Sequence, residues 1–513
     1  MCDAAWRELL ERRATAVTEV ALNTDSNGSP APTSSGMPRR CAADMTYESF
    51  CLDFMEPNLP VILEGVAADW RATRDWVLPD GGIDLDFLQR RFGAATVTVT
   101  DTARQHKGSG PGQQMPLSAF VAWWRQHKEL QEGGRDPGML WYCKDWHLAL
   151  EFPEYGAYTC PPAFQDDWLN EWHDGMQQRP DSQQQQQPAR QQQQDGIEQQ
   201  QQQQQGDEEE HAGTQPAGPS QQGMASSDYR FVYLGVRGTS TPLHSDVLRS
   251  FSWSANIAGR KLWRLLPPQY SHLLLDRQRR SVAWDFFAED PGGQYPHLAE
   301  ALPHVLEVVQ QPGEAIFVPS GWHHTVENLD DCVSINHNWL NGHNVHWTWA
   351  LLQLERRQAE EGIEDCRELC SLAEFESLVL RNLGANAGLD YAGFGAMLRC
   401  TALRSLGCLA AAGLGGTHGS PGGLNSSWYH AFRLQRAAAV LRELLAEQLQ
   451  CGRRIERAQQ ATGILASSGD EGPTHLSAQV EVSPHAAEVA ANSQCLTQIE
   501  DQLKAMGIAA DVT

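Results

Sequence analysis

Between residues 230 and 340 apolar and polar side chains alternate in short runs broken by Gly, Pro and Asn-Asp signals, the pattern of half-buried strands. The segment around Thr241 to Asp246 reads as extended. Residues 256–268 form a strand-like run closed by Pro267 and Pro268, and 332–339 is a return strand after the turn Asn328-Leu329-Asp330-Asp331. Upstream, the spacing predicts helix from 47, strand at 60–65, helix at 84–91, strand at 95–100 and an amphipathic helix at 117–130. Downstream it predicts helices at 346–359, 374–383, 391–403 and 428–460, with a weak one at 494–506. A short amphipathic helix fits Trp6, Leu9, Leu10, Val17 and Val20. The texture is α+β, with helices packed outside a β-barrel.

Low complexity divides this pattern. Residues 176–226 are Gln-rich, with too few apolar groups to offset ordering entropy, so the segment is expected to be a disordered surface-loop insertion. A Ser/Pro/Gly stretch at 23–40 and a Gly/Ala/Ser-rich stretch at 407–427 read as linkers. The resulting division is an N-terminal extension (1–45), a helix-and-strand part (46–175), the insertion (176–226), a barrel core (227–345), a helical region (346–406) and a linker with a helical tail (407–513).

At 513 residues, 41% of them hydrophobic and with 17 Trp, the chain can bury a large core. The net charge of −25, with no basic stripe, excludes direct nucleic-acid binding as the expected role. The 12 Cys lack paired CxxC spacing, which points to free thiols in a reducing compartment. Asp3, Glu8, Glu11 and Glu19 argue against a leader peptide, and no apolar run reaches membrane-span length, so cytosol or nucleus is expected.

The candidate chemistry sits in the strand-rich stretch. His244 and Asp246 are two apart in an extended segment, so both side chains leave the same face and can grip one ion. The pair alone is weak; most strand histidines are satisfied core or surface groups. A distant imidazole would complete a two-His-one-carboxylate triad with open metal positions. Two candidates are adjacent, His323 and His324. Trp322, His324 and Val326 share the apolar face that should line the barrel, so alternation selects His324. Lys261 shares a face with Trp263 and Leu265, which favours a pocket lysine over a solvated one. Ser334, Asn336 and Asn338 share one face of the return strand.

Several ordered segments then converge: Tyr142-Cys143-Lys144-Asp145-Trp146-His147, Asp166-Asp167-Trp168-Leu169-Asn170-Glu171, Asp228 to Tyr233, His244 to Pro268, and Phe317 to His324. From about Tyr47 to about Leu406 the chain resembles the JmjC-domain 2-oxoglutarate oxygenases, in particular the JmjC domain-containing protein 4 type, the lysyl hydroxylases of the translation release factor. The resemblance implies a mainly β fold with α elements, a double-stranded β-helix (jelly-roll, cupin-type barrel) with flanking helices. It implies Fe(II) ligands His244, Asp246 and His324. It also implies 2-oxoglutarate and O2 as cosubstrates, with Lys261 and Thr241 on the far carboxylate and Tyr142 and Asn336 or Asn338 as further pocket contacts. Where some relatives carry Asn, this chain has Ser254. The implied reaction couples decarboxylation of 2-oxoglutarate to carbon hydroxylation of a lysine in the release factor, with the C-terminal helices as a possible route to a homodimer. Two other readings share the residues: a histone N-methyl-lysine demethylase, and a non-catalytic cupin-like binding protein.

Overall fold

The computed structural model describes residues 6, 9–10, 36–104, 112–136, 138–177, 228–290, 292–413, 424, 426–466 and 484–509. The expected Gln-rich insertion therefore lies outside the described residues, apart from its first two positions, as do Val17 and Val20 of the first expected helix.

Thirteen strands are described: β1 Arg39–Cys41, β2 Val61–Glu64, β3 Thr96–Asp101, β4 Gln113–Pro116, β5 Trp141–Trp146, β6 Arg230–Gly235, β7 Ser240–His244, β8 Phe251–Ala258, β9 Lys261–Leu266, β10 Leu306–Gln310, β11 Ala315–Val318, β12 His323–Asn328 and β13 Cys332–Trp339. They form a nine-stranded sheet in the order β1-β2-β11-β8-β13-β6-β5-β3-β4 and a four-stranded sheet in the order β10-β9-β12-β7. Apart from the β1–β2 pair the sheets are antiparallel. The architecture is a cupin-type jelly roll with flanking helices. Helices of eight or more residues are α1 Leu85–Phe92, α2 Leu117–Glu132, α3 Trp168–Gln177, α4 Val345–Gly362, α5 Leu372–Ala387, α6 Tyr391–Gly413, α7 Ser427–Ala466 and α8 Pro484–Ala505.

The two faces of the large sheet do different work. On β8, Phe251, Trp253, Ala255 and Ile257 join Phe50, Trp70, Phe164 and Trp339 in the main core, under the helices. The alternate residues Ser252, Ser254 and Asn256 face the small sheet. At one end of the barrel, Ile62, Ile316 and Val318 of the large sheet meet Trp263, Leu265 and Val326 of the small one in a second apolar cluster. The barrel thus has an apolar floor and a polar upper half.

Three expected boundaries differ. The first linker ends earlier than expected: Arg39–Cys41 pairs in parallel with Ile62–Glu64 as an edge strand. The run 256–268 is not one strand. Gly259, at φ +78°, turns β8 into β9, and a Cβ there would lie 2.2 Å from the Asp331 carbonyl oxygen. The second linker is shorter than expected, since α6 continues to Gly413, and the weak last helix extends over Pro484–Ala505.

Nor are the C-terminal helices peripheral. Tyr429 and Phe432 of α7 complete the main core against Trp6, with ring centroids 5.1 and 5.5 Å from the indole. Buried Asp166 accepts from the Tyr47 and Tyr429 hydroxyls (3.1 and 2.7 Å) and from Trp168 Nε1 (3.0 Å), which ties α7 to the barrel. Further along α7, Leu434, Ala438, Leu441 and Leu444 pack against α4, α6 and α8. Because Phe432 is fully buried, Phe432→Ala is expected to destabilise the fold by about 3–5 kcal/mol, read from urea or thermal denaturation. A wild-type transition would mean that α7 is dispensable to the core.

Candidate metal centre and adjoining pocket

β7 and β12 lie side by side in the small sheet, with His244 directly opposite His324. Their imidazole centroids are 4.3 Å apart. Asp246 follows in the extended residue that ends β7's excursion. One ligand atom from each of His244, Asp246 and His324 falls within 4.8 Å of the others.

Each member is oriented by a second contact. His244 Nδ1 lies 2.8 Å from the Pro242 carbonyl oxygen, and His324 Nδ1 3.1 Å from that of Trp322. A carbonyl can only accept, so both Nδ1 atoms carry a proton, and the nitrogen each ring can offer to a metal is Nε2. The Ser252 hydroxyl donates to Asp246 Oδ2 at 2.6 Å, fixing one carboxylate oxygen. Burial, with His324 as a neighbour, pushes the His244 pKa down to about 4, so its ring is neutral at pH 7. Two imidazole Nε2 donors and a carboxylate fit a divalent first-row metal with open positions. Immediately after Asp246, Leu248 and Arg249 both have left-handed backbones (φ +57° and +48°), a strained turn. Burial of Leu248 and a 2.8 Å hydrogen bond from Thr348 Oγ1 to its carbonyl hold that turn in place.

The adjacent histidine is excluded by geometry. His323 points to the other face of β12, where its Nδ1 meets Ser271 Oγ at 2.9 Å. His324→Ala is therefore expected to abolish metal binding, and His323→Ala to leave it within a few-fold of wild type, as read by Mn(II) titration. The reverse ranking would place the register one residue off.

Lys261 begins β9 inside the barrel. It is 2% exposed, and its Nζ donates to Ser334 Oγ at 2.7 Å. Burial lowers its pKa to about 8. Thr241 lies three residues before His244, a spacing that would put the two on opposite faces of a regular strand. The register, however, jumps from His324–His244 to Val326–Thr241. This bulge spends an extra β7 residue and returns Thr241 to the face of Val326, between the sheets. Tyr142 is buried beside Asn328, close against Gly235; a Cβ on Gly235 would lie 2.7 Å from the Tyr142 ring. Asn336 lies midway along the polar wall, accepting from Ser254 Oγ at 3.1 Å. Asn338 sits at the Asp246 end, where its amide donates to Ser250 Oγ at 3.0 Å. Of the two asparagines, Asn336 faces the space between Lys261 and the triad.

Sequence reasoning gave no role to Ser252 or Ser334. The Ser252 signal was present as the stripe Ser250, Ser252, Ser254, Asn256 at strand period. Ser334 was read onto the right face but given no role, because its partner Lys261 is remote in sequence.

The cupin-like domain family matches residues 47–344 of this chain. The chain is 38% identical over 347 residues to the "Arginine-specific demethylase JMJ20" of Arabidopsis thaliana, covering 68% of this chain and 66% of that protein. It is 36% identical over 328 residues to the "2-oxoglutarate and iron-dependent oxygenase JMJD4" of Gallus gallus, covering 63% and 64%. To the Danio rerio protein of the same name it is 33% identical over 362 residues, covering 70% and 73%. The chain thus spans just under two thirds of the length of the first two. Matched across more than half its length, with a triad of the expected residue types converging at one end of the barrel, this chain belongs to the family of cupin-like JmjC domains, among relatives of the JMJD4 type.

Proposed function

We propose that this protein is an Fe(II)- and 2-oxoglutarate-dependent oxygenase that hydroxylates a carbon of a protein side chain, a lysine of the eukaryotic peptide-chain release factor. The observation that carries the oxygenase reading is the pairing of a triad with free Nε2 atoms and, in the same barrel, a buried lysine whose only hydrogen-bond partner among the described residues is a serine. His244, Asp246 and His324 would hold iron. Lys261, Ser334 and Thr241 would hold the far carboxylate of 2-oxoglutarate. With iron, 2-oxoglutarate and O2 bound, the chemistry supplied is decarboxylation to succinate and CO2 coupled to transfer of an oxygen atom into a C–H bond. The chain's own contribution is orientation and exclusion of water. Backbone carbonyls fix both rings, Ser252 fixes the carboxylate, and Trp263, Trp322 and Val326 close the floor. The relatives named JMJD4 support the oxygenase class; the release-factor lysine rests on the motif resemblance alone.

A second reading, N-demethylation, is favoured for methylated arginine by the Arabidopsis relative, an arginine-specific demethylase by name, and extends to methylated lysine on the same chemistry. The same site would hydroxylate an N-methyl carbon, and the product would lose formaldehyde. Incubation with Fe(II), 2-oxoglutarate and either release factor or methylated peptides, followed by peptide mass spectrometry, separates the two. A gain of one oxygen on release factor supports hydroxylation. Loss of CH2 from a methylated peptide, with release factor unmodified, supports demethylation and overturns the first reading.

A further inference from the structure

The pocket holds a second lysine. On β5, Tyr142, Lys144 and their β3 partners Thr100 and Thr98 share one face, while Cys143, Val97 and Val99 face the main core. That face looks toward the polar half of the barrel. The Lys144 ammonium lies 5.1 Å from the Tyr142 ring centroid, the Tyr142 and Tyr233 rings are 6.0 Å apart, and the Lys261 ammonium lies 6.0 Å from the Tyr233 ring. Two cations therefore flank one pair of tyrosines.

The local backbone favours this placement. The β5–β6 register breaks between Cys143 and Trp146, and Asp145 has φ +56°. Its carboxylate accepts from the Tyr233 hydroxyl at 2.7 Å and acts on Lys144 through space rather than as a direct ion pair. Among the described residues the Lys144 ammonium makes no ion pair and no hydrogen bond, and the Lys261 ammonium bonds only a neutral serine. Asp145 offsets part of this charge but spends its carboxylate on the Tyr233 hydroxyl, so two ammonium groups in a low-dielectric space still favour an added anion. Burial lowers the Lys144 pKa to about 8, with Asp145 opposing and Lys261 adding to the fall, and Lys144 in turn contributes to lowering that of His244.

We infer that Lys144 is a second cosubstrate-binding cation, which with Lys261 matches the two charges of a dicarboxylate such as 2-oxoglutarate. This rests on the oxygenase reading above, and it assigns Lys144 a binding role rather than a part in the chemistry. The bland alternative is a lysine that covers the Tyr142 ring and serves packing alone.

The test is direct binding, not turnover. Mn(II)-loaded full-length protein is titrated with 2-oxoglutarate, read by calorimetry and by tryptophan fluorescence. Lys144→Met, which keeps the length and loses the charge, is expected to weaken 2-oxoglutarate about tenfold with Mn(II) affinity and melting temperature unchanged. Lys144→Arg should retain most of the affinity. Lys144→Gln serves as the charge-free variant if the Met variant melts without cooperativity. Wild-type 2-oxoglutarate affinity in a folded Lys144→Met or Lys144→Gln protein would overturn the inference and leave the oxygenase reading standing. Absence of 2-oxoglutarate binding by the wild type would instead overturn the oxygenase reading, and the inference with it.

Discussion

Asp246→Ala is expected to eliminate Fe(II)-dependent conversion of 2-oxoglutarate to succinate while the thermal transition stays close to wild type. The carboxylate is the only anionic member of the triad, so its removal leaves two neutral imidazoles that hold a divalent ion weakly. Ser252 would lose its acceptor but remain at the polar wall of the barrel. Asp246 belongs to none of the apolar clusters, so the fold has no reason to fail. His244→Ala should behave the same way. Succinate release and Mn(II) titration check both variants, and substantial turnover in either would mean that the ion sits elsewhere.

Lys261→Met is the second large effect. A buried ammonium that reaches a carboxylate contributes a charge-assisted hydrogen bond of roughly 1.5–3 kcal/mol, and each 1.4 kcal/mol is about tenfold. The KM for 2-oxoglutarate should therefore rise by roughly ten- to a hundred-fold, with Mn(II) affinity nearly unchanged. Arginine should restore it only in part, because the planar guanidinium does not fit a space shaped for an ammonium beside Ser334. The pH profile gives an independent readout. Burial lowers the Lys261 pKa to about 8, against the smaller opposing effect of Cys332. The binding-competent ammonium is then fully present below that value and is lost as pH rises through it. In wild type, kcat/KM for 2-oxoglutarate should fall above pH about 8. Lys144, also near 8, sharpens the fall, whereas the neighbouring Cys332 thiol, pushed up to about 11, contributes nothing in that range. In Lys261→Arg with Lys144 intact the fall should be shallower. An unchanged profile would assign the limb to another group.

The C-terminal helices bury their large aromatics within one chain. Trp347 and Trp349 of α4 are buried, the latter against Tyr391 and Phe394 with its Nε1 donating to Glu443. These aromatics pack inside the protein, so a homodimer would have to use other faces of α4–α6, and it remains a proposal.

The sequence alone determined the period-2 runs of the barrel, and with them the side on which His244, Asp246, His324 and Lys261 lie. A two-residue period fixes which side chains share a face regardless of what that face meets. It also determined the helices with long apolar stripes. Which face turned inward was decided by tertiary structure. On β12 the apolar face carrying Trp322 and Val326 lines the barrel, whereas on β8 the apolar face of Phe251 and Trp253 turns out to the helices, leaving serines inside. Helices cover the outer face of the large sheet, so its apolar side can be buried against them, and hydropathy tells the two faces apart without saying which one turns into the barrel. The bulge that brings Thr241 round to the pocket depends on cross-strand register, which spacing within β7 cannot reveal. Pairings such as Lys261 with Ser334, the gathering of Lys144 beside Tyr142 and Tyr233, and the closure of the core by Phe432 join residues far apart along the chain. Only the folding of the two sheets onto each other, and of α7 across them, sets those distances.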